Sequence, residues 1–297
     1  MSFLNTGNTL QKLVFIFSRL EGPVLGGWRL SRYILDLLWG FTESDFATFV
    51  VPDMAFGLLG ALSRSLLING DCPSRNEIFR RVPVLLAFNW TNLLVFDLAN
   101  QRSPGSVAED RINKPWRPIP TGKISPQQTR RTMLVIVPLS MCLNYHLGVW
   151  VQGSLIHLIT WLYNDLGGGD EVILREVLIA VGYAMFNSGS LKISACGRKE
   201  RERCQMNSQG LAWTGIISAV IFTTMQIQDL KDQRGDQLRG RKTVVLFLGQ
   251  EFSRSYCAGA DYCLAGDNTR SQPAGRSPYL AAMVSVACHA LLSADHW

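Results

Sequence analysis

The sequence predicts an all-α integral membrane bundle, and three observations carry that prediction. Of 297 residues, 47% are hydrophobic and 18% charged, against about 25% charged in an average soluble domain. Several apolar stretches approach the roughly 20 residues a helix needs to cross a bilayer. Carboxylates then gather where two of those stretches end, and ionisable groups at membrane depth mark functional sites by default.

Taken in order, residues 1–45 form an amphipathic N-terminal segment of mixed charge, expected on the cytosolic side. Its short apolar run, Leu13 to Phe17, lacks the features of a signal peptide, so insertion depends on internal helices. A transmembrane domain is expected over 46–250. Its first span, Phe46 to Leu62, carries Asp53 and a kinking Pro52. Val82 to Asn100 is apolar except for Asp97, and Met133 to Val151 and Leu211 to Gln228 are free of charge. Gly153 to Tyr163 is short and pairs with the span before it after a bend. Val172 to Leu191 is apolar beyond Arg175 and Glu176 at its start. Residues 251–297 differ: Glu251 to Pro278 is a polar, Gly- and Ser-rich stretch, followed by one marginal helix, Tyr279 to Ala294. These residues alone give six to eight spans.

The net charge of +6 suits nucleic acid, anionic lipid or an anionic substrate. No RNP-type sequence or zinc-finger spacing is present, which sets nucleic acid aside. Seven cysteines, an odd number without a C-x-x-C pair, are expected mostly as reduced thiols. The loops 100–131 and 229–242 hold twelve Lys/Arg, and the opposite loops 64–81 and 192–203 hold nine. That margin places the first pair in the cytosol.

The strongest motif follows the span Leu211 to Gln228. Asp229, Asp232 and Asp236 stand at i, i+3 and i+7, on one helical stripe. Like charges at that spacing repel unless a cation or proton resolves them. Magnesium suits this role, because it prefers carboxylate oxygens and bridges to phosphates. A second cluster ends the span Val82 to Asn100, where Asp97, Asn100 and Gln101 share a face and Asn92 stands a little over one turn earlier. Beyond Pro104 and Gly105, Glu109 and Asp110 are positioned to join it if the chain folds back. Interhelical polar contact is the alternative for the amides.

A basic, proline-rich segment comes next. Pro115, Pro118 and Pro120 forbid a regular helix and hold Lys114, Arg117 and Lys123 at fixed points. Arg239, Arg241 and Lys242 follow the second acidic motif in the same manner. Arg suits bidentate phosphate contacts and Lys point-charge neutralisation. Together these features suggest acids that hold magnesium, bases that hold a diphosphate, and a bundle that holds a hydrocarbon. Aromatic side chains in the spans, among them Phe88, Phe96, Tyr183 and Phe186, are able to stabilise carbocations through their faces.

Asp229-x-x-Asp232-x-x-Gly235-Asp236 with Gly240-Arg-Lys-Thr resembles the second aspartate-rich motif of the UbiA superfamily of intramembrane prenyltransferases. The run from Asp110 through Lys114, Arg117 and Lys123 resembles the segment that closes that family's first motif. The resemblance implies about nine transmembrane helices, so roughly seven to nine are expected around a central cavity. It also implies magnesium and a polyprenyl diphosphate at a cytosol-facing cap, with the endoplasmic reticulum as the expected membrane. By this resemblance Asp97, Asp229 and Asp232 are the catalytic acids. The expected metal ligands are Asp97, Asn100, Gln101, Glu109, Asp110, Asp229, Asp232 and Asp236. Lys114, Arg117, Lys123, Arg241 and Lys242 are the expected diphosphate partners.

The first motif departs from the family's Asn-Asp-x-x-Asp-x-x-x-Asp pattern, reading Asp97-Leu-Ala-Asn100-Gln101, then an insertion, then Glu109-Asp110. That form is similar to a fungal branch that includes membrane-bound sesquiterpene cyclases. A cyclase acting on farnesyl diphosphate is the first reading, and a transferase that prenylates an aromatic or other acceptor is the second. The four histidines offer no obvious acceptor base, which favours cyclisation. An inactive homologue is the third reading, motivated by the polar stretch 251–278.

Overall fold

The computed structural model describes residues 23–63, 66–70, 73–196 and 204–248. The expected polar stretch 251–278, the helix 279–294 and residues 1–22 lie outside the described residues. Helix α1, Pro23–Phe46, and helix α2, Val50–Leu62, meet at a bend of 70°. The break falls at residues 47–49, upstream of Pro52, which sits in the first turn of α2, where a missing N–H costs nothing. Pro52 therefore does not kink the span. A short helix α3, Arg75–Arg80, starts with a capping box between Ser74 and Glu77.

Helix α4, Val82–Gln101, matches the apolar span read from the sequence. Helix α5, Pro104–Asn113, is short, polar and capped by Ser103. Helix α6, Pro126–His146, starts a full two turns before the expected span, because Ser125 and Gln128 form a capping box ahead of Arg130 and Arg131. Helix α7, Trp150–Asn164, follows after a tight turn, and a 3₁₀ turn at Gly168–Asp170 leads into α8, Val172–Ala195. Helix α9, Ser208–Thr224, is capped by Asn207 and breaks at Met225. Helix α10, Gln226–Arg239, carries the acidic stripe, and α11, Val244–Leu248, closes the described chain. Among the described residues, α4 and α8 are long and apolar enough to cross a membrane, and the bent α1–α2 pair makes a third.

Small residues and paired amides hold the bundle together. A Cβ on Gly57 would lie 2.7 Å from the Ser190 carbonyl carbon, so α2 and α8 touch backbone to backbone. Asn89 donates to Ser190 Oγ at 2.9 Å and accepts from it at 3.1 Å, joining α4 to α8. Asn92 exchanges hydrogen bonds with Asn144 at 3.0 and 2.9 Å and accepts from Ser140. Asn92 thus ties α4 to α6 and stands apart from the acidic end. Five residues of helix turn it roughly 140° from Asp97.

The cysteine expectation needs one correction. Cys196 and Cys204 form a disulfide, with Cα atoms 5.6 Å apart. The antiparallel pairing of β1, Ile68–Asn69, with β2, Gln205–Met206, brings the chain back beside the end of α8. Cys142 is a free, exposed thiol.

The α2–α8 contact predicts unequal costs at two glycines. Gly57→Ala should lower stability by about 1–3 kcal/mol through overpacking. Gly182→Ala, where a Cβ meets nothing within 4 Å, should be neutral or stabilising by up to about 1 kcal/mol. Thermal unfolding in detergent checks this, and equal midpoints would contradict the packing.

Candidate active site

Two clusters of acids and arginines occupy the ends of α4, α8 and α10. In the first, Arg117 is 4% exposed and donates to Asp110 Oδ1 at 3.0 Å, Asp45 Oδ2 at 2.7 Å and Ser44 Oγ at 2.9 Å. Lys114 Nζ lies 3.8 Å from Asp45 Oδ1. Asp97, fully buried, faces Asp45 and lies within electrostatic reach of Arg117 and Lys114. Its carboxylate oxygens meet no N–H or hydroxyl donor, and the polar group beside them is the Asp45 carboxyl.

In the second cluster Arg175 forks onto Asp229, with Nη1–Oδ2 at 2.8 Å and Nη2–Oδ1 at 2.7 Å, and also reaches Glu176 at 2.7 Å. Arg241 bonds Asp236 Oδ1 at 3.2 Å and Glu109 Oε1 at 3.3 Å. Arg239 donates to Glu109 Oε2 at 3.0 Å and forms an ion pair with Asp170, Nε–Oδ1 2.8 Å. Burial pushes the Asp229 carboxyl up to about 6 against the lowering pull of Arg175. Burial likewise pushes Asp236 up to about 7 against the pull of Arg241.

Helix α5 joins the clusters. Its neighbours Glu109 and Asp110 reach opposite ways, Glu109 to Arg239 and Arg241, Asp110 to Arg117. Asn113 on the same helix donates to the Asp232 carbonyl at 3.0 Å. That approach requires Gly235, because a Cβ there would collide with the Asn113 side chain. The glycine of the second motif is therefore a packing residue that seats α10 on α5.

Each expected residue can now be placed. Asp97, Asp110, Lys114 and Arg117 share the first cluster, and Glu109, Asp229, Asp236 and Arg241 share the second. Asp232 is half-buried on the same helix as Asp229. Asn100 accepts from Ser106 Oγ at 3.4 Å, and Gln101 donates to the Phe41 carbonyl at 2.7 Å, which ties α4 to α1. Lys242 is exposed and pairs with Glu171 at 3.4 Å. Lys123 is exposed in a turn, and its carbonyl accepts from the Tyr33 hydroxyl.

Sequence reasoning passed over Asp45, Ser44, Arg175, Glu176 and Asp170 as site residues, whereas Arg239, read as a basic neighbour of the second motif, does join the second cluster. Arg175 and Glu176 carried the available signal, as charged residues inside an otherwise apolar span.

The donor chemistry was tested against a divalent cation. Among the described residues no three Asp, Glu, His or Cys side chains converge on one point. Yet both oxygens of Asp97, Oδ2 of Asp236 and Oε2 of Glu176 are buried without an N–H or hydroxyl donor. All are hard oxygen donors of the kind magnesium prefers, so their chemistry suits such an ion although, among the described residues, they do not converge on one point.

With the geometry in hand, the lineage follows. The UbiA prenyltransferase family profile matches residues 84–294, and the chain belongs to this family. It is 27% identical over 235 residues to the somaliensene A/B synthase of Streptomyces somaliensis, covering 78% of this chain and 72% of that protein. It is 27% identical over 234 residues to the fumagillin beta-trans-bergamotene synthase of Aspergillus fumigatus, covering 78% and 73%. Among solved structures, a UbiA homologue from Archaeoglobus fulgidus bound to GPP and Mg2+ superposes with a TM-score of 0.57. That match has 11% identity and covers 87% of this chain and 98% of that one, a likeness of fold.

The raised acids set a pH dependence. Asp229 and Asp236 start from an ordinary value of 3.8 and rise to about 6 and about 7 on folding. The folded state therefore keeps protons that the unfolded state has lost, and stability falls as pH rises through that window. Metal-free protein should lose thermal stability between about pH 4 and pH 7, and Asp236→Asn should flatten the upper part. A wild-type profile that rises over this range would contradict the burial of these acids.

Proposed function

We propose that this chain is a membrane-embedded, magnesium-dependent enzyme that ionises a prenyl diphosphate, and that it is a sesquiterpene cyclase acting on farnesyl diphosphate. The observation that carries this is the junction at α5, where Glu109 and Asp110 bring two acid–arginine clusters together beside Asp97, whose oxygens meet no N–H or hydroxyl donor. The names of the bacterial and fungal relatives, both synthases of terpenoid type, support cyclisation. The archaeal homologue bound to GPP and Mg2+ supports the ligand class.

Magnesium, when bound, supplies positive charge that stabilises the departing diphosphate. Asp97, Asp229, Asp232 and Asp236 are the residues that would hold it, with Asp110 and Glu109 beside them. Asn100, whose oxygen already accepts from Ser106, is the weaker member of that set, while the Gln101 amide nitrogen is held by Phe41 and its oxygen stays free. Lys114, Arg117, Arg241 and Lys242 place cationic donors around the same ground and orient the diphosphate head. Lys123 is the outermost. As the allylic carbon–oxygen bond breaks, these fixed charges stabilise the leaving group without reorganising. The apolar helices below exclude water and leave the cation to the substrate's own double bonds. A prenyltransferase shares the ionisation and differs in the trap, so an acceptor alcohol, phenol or ring carbon is the second reading. An inactive homologue is the third, and turnover decides it.

The proposed domain spans 46–250 with α1 packed against it, and roughly seven to nine transmembrane helices surround the cavity. The acidic end faces the cytosol, in the endoplasmic reticulum. The disulfide supports that orientation. Helix α8, about 36 Å long, has Arg175 near one end and Cys196 just past the other. Disulfides persist in oxidising compartments such as the lumen of the endoplasmic reticulum.

Microsomes supplied with magnesium and farnesyl diphosphate alone should release diphosphate and yield a hydrocarbon in a hexane extract. Asp97→Ala or Asp229→Ala should reduce turnover about 100-fold or more while the protein stays in the membrane fraction. Full activity in EDTA, or in either variant, would refute the metal-cluster mechanism. Inertness of the wild type with every acceptor supports the third reading.

The orientation has its own check. After every thiol that reacts without reduction is blocked in denatured, non-reduced protein, the two thiols of Cys196 and Cys204 should become alkylatable only on reduction. A membrane-impermeant reagent should reach them only in permeabilised microsomes. Labelling in sealed microsomes would invert the topology.

A further inference from the structure

Asp53 lies on α2, outside both acid–arginine clusters, and is 1% exposed. Neither of its carboxyl oxygens has a hydrogen-bond partner. Asp53 stands in the first turn of α2, where the helix dipole favours an acid, yet its carboxyl caps no backbone N–H. A partnerless carboxyl inside an apolar bundle is costly.

Its surroundings point to a use. One helical turn earlier, Phe49 stacks on Tyr183 with ring centroids 4.4 Å apart. Phe49 also approaches Phe186 at 6.2 Å and Phe96 at 6.3 Å. Phe96 lies 5.3 Å from Tyr163 and is the chain neighbour of Asp97. These rings form a continuous wall from the first acidic cluster to the turn of α2 that carries Asp53. Tyr183 is within electrostatic reach of Asp53, but its hydroxyl is occupied, donating to the Thr48 carbonyl at 2.8 Å. The carboxyl is therefore left facing the aromatic side of the bundle without a protein partner.

We infer that Asp53 is the base that ends the carbocation cascade, taking a proton from a carbon next to the cationic centre of the cyclised hydrocarbon. The inference rests on the cyclase reading and adds a catalytic residue to it. The C–H bond breaks, its electron pair becomes the new C=C bond, and the proton passes to a carboxylate oxygen of Asp53. The diphosphate left earlier with the electrons of the C–O bond, so the olefin is neutral and no oxidant or reductant is needed. The proton returns to water when the olefin leaves. Until then the faces of Phe49, Tyr183 and Phe186 stabilise the migrating charge. Burial alone favours the neutral carboxyl, so its resting proton passes to water before the substrate closes the site. The cation formed opposite then holds the carboxylate ionised until it takes the proton from carbon.

The test uses microsomes carrying the full-length wild type, Asp53→Asn or Asp53→Glu, with magnesium and farnesyl diphosphate. Diphosphate release and extracted products are measured together. Loss of a positioned base should lower olefin per diphosphate released by about tenfold or more in Asp53→Asn. Water-captured alcohols or different olefins should take its place. Asp53→Glu should restore the ratio to within about threefold of wild type. If Asp53→Asn does not extract from the membrane as a monodisperse protein, Asp53→Ser carries the same expectation. Wild-type olefin at the wild-type ratio in the Asn or Ser variant would overturn the assignment and leave the departing diphosphate as the base. A wild type that releases no diphosphate, or releases it only with an added acceptor, would instead overturn the cyclase reading, and the role of Asp53 with it.

Discussion

The fork between Arg175 and Asp229 is the interaction on which the acidic end depends. Both groups are almost fully buried, at 6% and 3% exposure, and neither charge is tolerable there alone. Breaking such a pair from one side costs about 3–5 kcal/mol, because the other charge is left uncompensated. The fork pins α10 to the start of α8. Arg241, Glu109 and Asp236 extend the same lattice to α5, and Asp110 with Arg117 carries it to α1. An acid-rich surface that would otherwise repel itself is thereby folded into a compact plate across the ends of five helices.

Below that plate the chemistry changes. Many of the side chains facing one another are aromatic and aliphatic, and amides among them pair between helices, as Asn89 does with Ser190 and Asn92 with Asn144. On the proposed function, the charged head of the substrate is handled at one end and its hydrocarbon in the interior. Asp53 is an exception to that division, and its isolation beneath Phe49 is what gives it a separate role. Such a partition suits a substrate with an anionic head and an apolar tail. It also keeps the reactive intermediate away from the water that the head group needs.

Much of this was legible in the chain. Helices α4 and α8 were plain because their apolar windows are nearly unbroken. The stripe Asp229, Asp232 and Asp236 was plain because its spacing leaves no other geometry on a helix. Other features were hidden for physical reasons. Helix α1 spreads Arg29, Arg32, Asp36 and Glu43 along a surface that is mostly exposed, which disguises the buried Phe41 and Thr42 that seat it. Asp45 bears no periodic relation to the other acids and enters the site only because α1 and α2 bend beside it. The break at Met225 falls inside a charge-free run, so composition could not place it. Gln101 shares the stripe of Asp97, yet its amide is taken by the Phe41 carbonyl, a contact invisible without the fold. Gly235 looked like part of a signature, and the structure gives it a steric reason.

The central claim is that both clusters serve one ion and one diphosphate. Manganese, which takes the same hard oxygen ligands, reports this directly by electron paramagnetic resonance of detergent-purified protein titrated with the metal and inorganic diphosphate. The account predicts that diphosphate tightens manganese binding to the wild type, and that Asp97→Asn and Asp229→Asn each abolish that tightening although the two residues belong to different clusters. Loss in one variant with full retention in the other would mean that the clusters act separately, and the shared site would be refuted.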